Sequence, residues 1–567
     1  MSRIQKTCAQ CQTTFEITPA DQAFYTKIAV PAPTLCPDCR MQRRMAFRNE
    51  RNLYRRKCSA TDKEIISMYH QDSPLEKVYS HEYWWSDKWD ARDYGRDFDF
   101  TRPFFEQFTE LMYQVPHPPL WNWEPENAEF NNCSYRMKDS YMNFGADLGE
   151  NCHYTFTSGH NRDAADCEGV EYSEKIYEVT DGQKIFNCAF VQQCKNCTDT
   201  YLSFDCMDCQ NCFGCVGLRH KQYYFFNEKL EPEEWKKRVS EILGSHQAMT
   251  EAKKRFEALK LTQPHRYAAI SNSPDSTGNY IWNTKNARYC FDIRDSEDIA
   301  YTSYVAWKSK DTYDAYALGE TELCYEILSG GFVYNTQFAQ WPNYGPNNSQ
   351  YTVFCVHGCN DLFGCVGLNK KQYCIFNKQY SKEEYEALRA RIIEHMKQTG
   401  EYGEALPVAM SPVAYNESIA QDYFPLTKEE VVQRGWHWRD NLGGTFGKET
   451  MKPEQLPDRI QDVSDTITKE VLACTNCRKN YKIIVSELEL LRKMNQPLPR
   501  QCPNCRHLAR LAARNPRKLW HRQCMCSLAA HENHQEGAQC PKEFETSYAP
   551  DRPEKIFCET CYQKEVI

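Results

Sequence analysis

The chain repeats one phrase near both ends: "CPDCRMQRRMAFRN" over residues 36–49 and "CPNCRHLARLAARN" over residues 502–515. The match widens at a single offset of 466 residues. Cys8, Cys11, Cys36 and Cys39 recur as Cys474, Cys477, Cys502 and Cys505. Between and beyond the cysteines, Pro31, Pro33, Arg40, Arg44, Arg48, Asn49, Arg51, Leu53, Arg56 and Cys58 recur as Pro497, Pro499, Arg506, Arg510, Arg514, Asn515, Arg517, Leu519, Arg522 and Cys524. One offset held over about fifty residues identifies a duplicated module.

Each copy reads C-x2-C, a loop of 24 residues, then C-P-x-C-R. Two residues between cysteines let both sulfurs of a knuckle reach one tetrahedral ion at about 2.3 Å. Proline just inside the second pair suits the first turn of a helix, which puts Cys39 and Cys505 at a helix start. The long loop has room for a short helix, at "PADQAFYTK" and at "SELELLRK". This cysteine frame resembles the treble-clef, zinc-ribbon-like domain found in many uncharacterised bacterial proteins. The resemblance covers about fifty residues at each end. It implies zinc held by Cys8, Cys11, Cys36 and Cys39, and again by Cys474, Cys477, Cys502 and Cys505.

A third cysteine group closes the sequence. Cys558-x2-Cys561 is a knuckle; Cys540 and one of Cys524 or Cys526 complete a set, and the reading adopted is Cys526, Cys540, Cys558 and Cys561. The intervening "HENHQEG", with His531 and His534, reads as an exposed polar loop. About three zinc ions per chain are expected. A degenerate counterpart follows the first module. "YHQDSPLEKVYSHEY" aligns with "YAPDRPEKIFCETC" after one inserted residue, so Ser80 and Tyr83 stand where Cys558 and Cys561 are. Hydroxyls are poor zinc ligands beside thiolates, and Cys58 keeps only His70 and His81 as company. Residues 58–86 therefore read as a copy that lost its metal and kept its packing, around Trp84 and Trp85.

The middle is duplicated as well. "FGCVGLRHKQYYFFN" from Phe213 recurs as "FGCVGLNKKQYCIFN" from Phe363, each copy followed by a charged helix. The second helix opens with Ser381 and Glu384, a capping box. Upstream, short runs of Tyr, Phe, Thr and Cys are broken by Asn, Asp and Gly, which suggests a stacked β-solenoid or small all-β units of irregular period. Cys206, Cys209, Cys212 and Cys215 suggest an iron–sulfur run, but the ferredoxin pattern wants a longer last gap and a proline. Their duplicates are Val356, Cys359, Leu362 and Cys365, which favours a cysteine-lined core and leaves metal as the alternative. The fold expected is multidomain: terminal treble-clef zinc modules flanking a duplicated, mainly β central region with short helices. The segments are 1–57 (treble clef), 58–130 (degenerate copy and connector), 131–260 and 261–404 (the central repeats), 405–467 (linker), 468–519 (treble clef) and 520–567 (third zinc module).

Composition fits this reading. A chain of 567 residues suggests several domains, and 41% hydrophobic with 13% aromatic content can form real cores. No apolar run approaches the roughly 18 residues of a membrane span, and "MSRIQKTCAQC" lacks a secretory h-region. Thirty cysteines without such a signal point to a reducing, cytoplasmic setting. The formal charge of −8 becomes about −14 once three zinc–thiolate centres are counted.

Arginines at i, i+4 and i+8 after each C-P-x-C knuckle share one helix face: Arg40, Arg44, Arg48 and Arg506, Arg510, Arg514. Guanidinium forks suit phosphate, and Phe47, Tyr54 and Trp520 could stack on bases. The first function expected is thus a non-enzymatic multi-zinc scaffold that binds RNA or DNA through these arginines. The charge-compensation alternative has them offset the zinc–thiolate charge. A second function is a protein-interaction scaffold working through its aromatic central surface, in a chain with 35 tyrosines in all. A third is an enzyme working in a solenoid groove, with Asp97 and Asp99 as candidates. Against the third, closed four-cysteine sites leave no open metal position, and no nucleophile–base or nucleotide-binding frame is present.

Overall fold

The computed structural model describes residues 2–528, 534, 535 and 537–566, with only the backbone at 305–307. The chain forms two compact units, each discontinuous in sequence. One comprises residues 1–120, 268–442 and 517–519; the other comprises 121–267, 443–516 and 520–567. The expected segments therefore group out of order. The N-terminal cysteine module shares a unit with the second central repeat, and the C-terminal modules share one with the first.

In the unit that holds the first repeat, strands from Glu150–His153 to Gln222–Phe225 pair in parallel and in sequence order. Their register is constant. Arg162 pairs with Glu174, Glu174 with Phe186, Phe186 with Thr198, Thr198 with Gln210, and Gln210 with Gln222, so each pass of the chain takes twelve residues. Each pass is divided again by a left-handed residue at every third position, for example Asp163, Asp166, Tyr172, Lys175, Glu178 and Asp181. Asn and Asp tolerate this conformation better than other side chains, and they also stack between passes. Asn151 Nδ2 donates to Asp163 Oδ1 at 2.6 Å, and Asn196 Nδ2 to Asp208 Oδ1 at 3.0 Å.

Every third residue turns inward, which leaves a core too narrow for large side chains. Cys152, Ala164, Ile176, Cys188, Thr200 and Cys212 form one such buried row. This explains the cysteine richness of the middle. A thiol is small, apolar and able to donate weakly, and Cys188 and Cys215 each point Sγ at a carbonyl oxygen 3.3 Å away. Cys206, Cys209, Cys212 and Cys215 belong to this same core, and burial raises Cys188 and Cys152 to about 12, far from a reactive thiolate. Val356 and Leu362, the duplicates of Cys206 and Cys212, are likewise fully buried.

The second repeat, in the other unit, follows the same plan less evenly. Its register is twelve residues at Gly278–Cys290 and Tyr325–Gln337, but thirteen at Ser303–Tyr316 and Thr336–Ser349. These insertions are why the period looks irregular in the sequence. The duplicated "FGCVGL…FN" phrase is the end of each repeat. Asn227 clasps both backbone groups of Val216, and Asn377 those of Val366, while a short antiparallel return closes the last pass. The helices Pro232–Ile242 and Lys382–Gln398 follow, the latter with the expected Ser381–Glu384 capping box. Among the described residues no helix is long and apolar enough to cross a membrane.

Candidate metal centres and their arginine anchors

The N-terminal knuckle is shaped by its own backbone. The N–H of Cys8 bonds to Thr13 O at 2.9 Å and that of Gln12 to Cys8 O at 3.0 Å, with Gln12 left-handed. Helix Pro19–Lys27, capped by Thr18 and Asp21, fills the long loop as expected. Cys36 then caps helix Pro37–Met45, with proline at its first position and Cys39 in its first turn. The C-terminal copy repeats each step: Cys474 N–H to Lys479 O at 2.9 Å, helix Val485–Lys493, and Cys502 capping helix Pro503–Ala513.

The four sulfurs of Cys8, Cys11, Cys36 and Cys39 lie within 4.8 Å of one another, as do those of Cys474, Cys477, Cys502 and Cys505. Both Cys11–Cys36 and Cys477–Cys502 sulfur pairs are 3.7 Å apart. A tetrahedral ion with metal–sulfur bonds of about 2.3 Å needs sulfur–sulfur edges of about 3.8 Å, so both quartets fit. The hydrogen bond with the Cys39 thiol, then the Cys39 backbone N–H, brings Cys36 down to about 4 against the opposing effect of burial. All thirty cysteines are free of disulfides.

The third centre is built by Cys524, Cys540, Cys558 and Cys561. This corrects the expectation of Cys526. Cys524 opens the module as Cys8 and Cys474 open theirs: its N–H bonds across a hairpin to Lys542 O, and its Sγ accepts the Cys558 N–H at 3.2 Å, as Cys8 Sγ accepts the Cys36 N–H at 3.3 Å. The sequence held the signal, because Cys524 lies at the module offset from Cys58 while Cys526 does not. His534 lies against Cys561 rather than in open solvent, and His531 falls outside the described residues.

The degenerate copy keeps the same frame. Hairpin Tyr54–Lys57/Glu64–Ser67 leads to Cys58, whose Sγ accepts the Ser80 N–H at 3.1 Å, and Ser80 caps a short helix where Cys558 would stand. Trp84 is buried there, its Nε1–H on Pro116 O at 3.0 Å and its ring against Trp85. His70 faces Arg439 and His81 packs near Trp85.

The arginine stripes do not face outward. Arg40, Arg44, Arg48, Arg506, Arg510 and Arg514 are all buried, none more than 7% exposed. Arg40 Nε lies 2.9 Å from Asp314, and Arg44 Nη1 lies 3.1 Å from Asp314 and 2.9 Å from Glu326. Arg43 bridges Glu326 and Glu404. Arg48 pairs with Glu50, its guanidinium over Tyr316 and Trp341. In the other unit Arg506 meets Asp166 and Glu487 at 3.0 Å, Arg510 meets Asp166 at 2.9 Å and Glu178 at 3.2 Å, and Arg514 meets Asp181 at 2.8 Å. The expectation that these six arginines bind phosphate is corrected. Phe47, offered for base stacking, is buried too, and Tyr54 donates its hydroxyl to Glu417.

The physical reason is a match of spacings. Residues four apart on a helix rise about 6 Å, close to the roughly 4.8 Å between neighbouring strands. Asp166 and Glu178 are one twelve-residue pass apart, and so are Asp314 and Glu326. A column of carboxylates on each repeat thus receives a column of arginines from each metal-site helix. Burial opposes charge on Glu326, but Arg43, Arg44 and Arg40 outweigh it and hold that carboxyl below its ordinary range. Asp97 and Asp99 are not drawn into any such site. Asp97 pairs with Lys378 at 2.6 Å, Asp99 caps its own turn at Thr101, and both carboxyls are held below the usual range by those hydrogen bonds.

Residues 4–48 match the family profile described as "Probable treble clef domain", in agreement with the knuckle, loop helix and helix-capping pair just described. No curated protein matches the chain in sequence. Among solved structures, it is similar to a "putative acetyltransferase from Desulfovibrio desulfuricans G20" at 11% identity, over 44% of this chain and 65% of that one, with a TM-score of 0.10. The chain therefore spans less than two thirds of that protein's matched chain, and a likeness so slight carries no argument here.

Proposed function

We propose that this protein is a non-enzymatic interaction scaffold whose zinc ions are structural. In this reading the central repeats wind as β-solenoids, and each zinc-built helix clamps onto one. The observation that carries it is the buried arginine–carboxylate ladder: the most basic part of each metal module is consumed in holding the repeat. Zinc is the ion favoured by four thiolates in tetrahedral array, closed to substrate. What remains available to a partner is the outer face of the repeats, where aromatic rings stack at the spacing of the passes. Tyr172, Phe332 and Tyr344 are exposed large side chains. His160 stacks on Tyr172 at 4.5 Å, and Phe332 on Tyr344 at 4.4 Å. Exposed, pre-ordered aromatic rows are suited to protein contact.

Crosslinking in native cells, followed by identification of bound protein and RNA, tests the proposal. Protein adducts that disappear in a Tyr172→Ser/Phe332→Ser/Tyr344→Ser variant, with zinc content unchanged, support it. Salt-sensitive retention of RNA or DNA that survives this variant would favour the nucleic-acid reading instead, through surfaces other than the six arginines.

A further inference from the structure

Cys526 is fully buried but stands outside the third quartet. Its Sγ, His534 and Cys561 form a separate group of potential ligands within 4.8 Å of one another. The geometry points to a second metal ion in this module, held by Cys526 Sγ, His534 Nε2 and a Cys561 thiolate that bridges to the four-cysteine ion. The inference rests on reading Cys524, Cys540, Cys558 and Cys561 as a zinc site, and goes beyond it.

Three observations carry it. First, Cys561 Sγ and His534 Nε2 are 3.6 Å apart. Metal–nitrogen and metal–sulfur bonds of about 2.0 and 2.3 Å at a tetrahedral angle place the two ligand atoms about 3.5 Å apart, close to this separation. Second, His534 Nδ1 lies 3.0 Å from Gln535 O. A proton on Nδ1, donated to that carbonyl, leaves the Nε2 lone pair facing Cys561, the tautomer a ligating histidine uses. Third, the sister module shows what this position does when it carries no ligand. Cys526 lies two residues after the first metal cysteine, where the C-terminal treble clef has Asn476. Asn476 Nδ2 donates to Cys505 Sγ, the fourth metal sulfur, at 3.5 Å. An amide there donates to a metal-site sulfur, whereas Cys526 brings a sulfur of its own within 4.8 Å of Cys561 and His534. The bridged pair would hold five thiolates against two divalent ions, and the second ion, with three protein ligands, keeps a fourth position for water.

Zinc counting by native mass spectrometry on the full chain tests this, after loading with zinc and removal of excess. Four ions are expected in the unmodified protein, and three in both Cys526→Ser and His534→Gln. The fourth ion should leave first as a mild chelator is added, because one of its sulfurs is shared. Three ions in all three proteins would overturn the second site while leaving the four-cysteine reading intact. Loss of two ions in Cys526→Ser would also overturn it, by making Cys526 a ligand of the first ion. Cys540→Ser is the control for the underlying reading: a full count in that variant would remove the four-cysteine site itself.

Discussion

An arginine at a zinc knuckle can neutralise thiolate, meet phosphate or dock an element, and only its partners distinguish these roles. Here the partners are buried carboxylates. Removing one side of such a pair strands a charge and costs about 3–5 kcal/mol. Asp166→Asn, which leaves both Arg506 and Arg510 short of a partner, should destabilise its unit by about that much in denaturant titration. A triple Arg506→Gln/Arg510→Gln/Arg514→Gln change should likewise lower stability, with no change in the salt dependence of any RNA retention. Glu487 supplies a pH test. Burial, opposed by Arg506, raises its carboxyl to about 7, against about 4.3 in an unfolded chain. The folded state then holds a proton that the unfolded state releases. This contribution to stability is present in full below about pH 4.3 and is lost as pH rises through about 7. The effect of Glu487→Gln should therefore shift toward stabilisation between pH 5 and pH 8, as measured by unfolding free energy. An unchanged difference would mean Glu487 is ionised throughout.

At the level of elements, the knuckles, both loop helices and two complete quartets could be read from cysteine spacing, proline and cap residues, because these are local and chemically specific. What spacing could not supply was direction. Arginines at i, i+4 and i+8 share a face whether that face meets solvent or a protein wall, and the wall lies some 270 or 340 residues away in sequence. The twelve-residue pass was hidden for another reason. Left-handed residues at every third position break the alternation that marks an ordinary strand, and the thirteen-residue passes of the second repeat blur the period. Spacing alone leaves Cys524 and Cys526 as alternatives; Cys58 points to Cys524, but the degenerate copy keeps this first ligand and loses the other three. That asymmetry is testable by metal analysis. Cys477→Ser should lower the zinc count by one ion, while Cys58→Ser, whose sulfur accepts only backbone and hydroxyl hydrogen bonds, should leave it unchanged.

At the scale of the molecule, sequence order and structural partnership are exchanged. The C-terminal treble clef belongs with residues 121–267 and the N-terminal one with residues 268–442. If zinc were needed only by the ends, chelation would melt the modules and spare the repeats. The buried ladder argues otherwise, because unfolding helix Pro503–Ala513 would leave Asp166, Asp181 and Glu168 without their cations and uncover the repeat wall beneath. Structural zinc contributes about 10–16 kcal/mol in small sites, more than a typical domain's whole margin of about 5–15 kcal/mol. Loss of one ion should therefore propagate into the repeat that its helix clamps. Hydrogen exchange on Cys474→Ser should show lost protection across residues 150–225 with protection kept across 278–375, and Cys8→Ser should show the reverse. Protection lost only within the mutated module would mean that the ladder adds no stability to the repeat. Protection lost across the repeat adjacent in sequence, instead of the one in the same unit, would contradict the exchanged partnership.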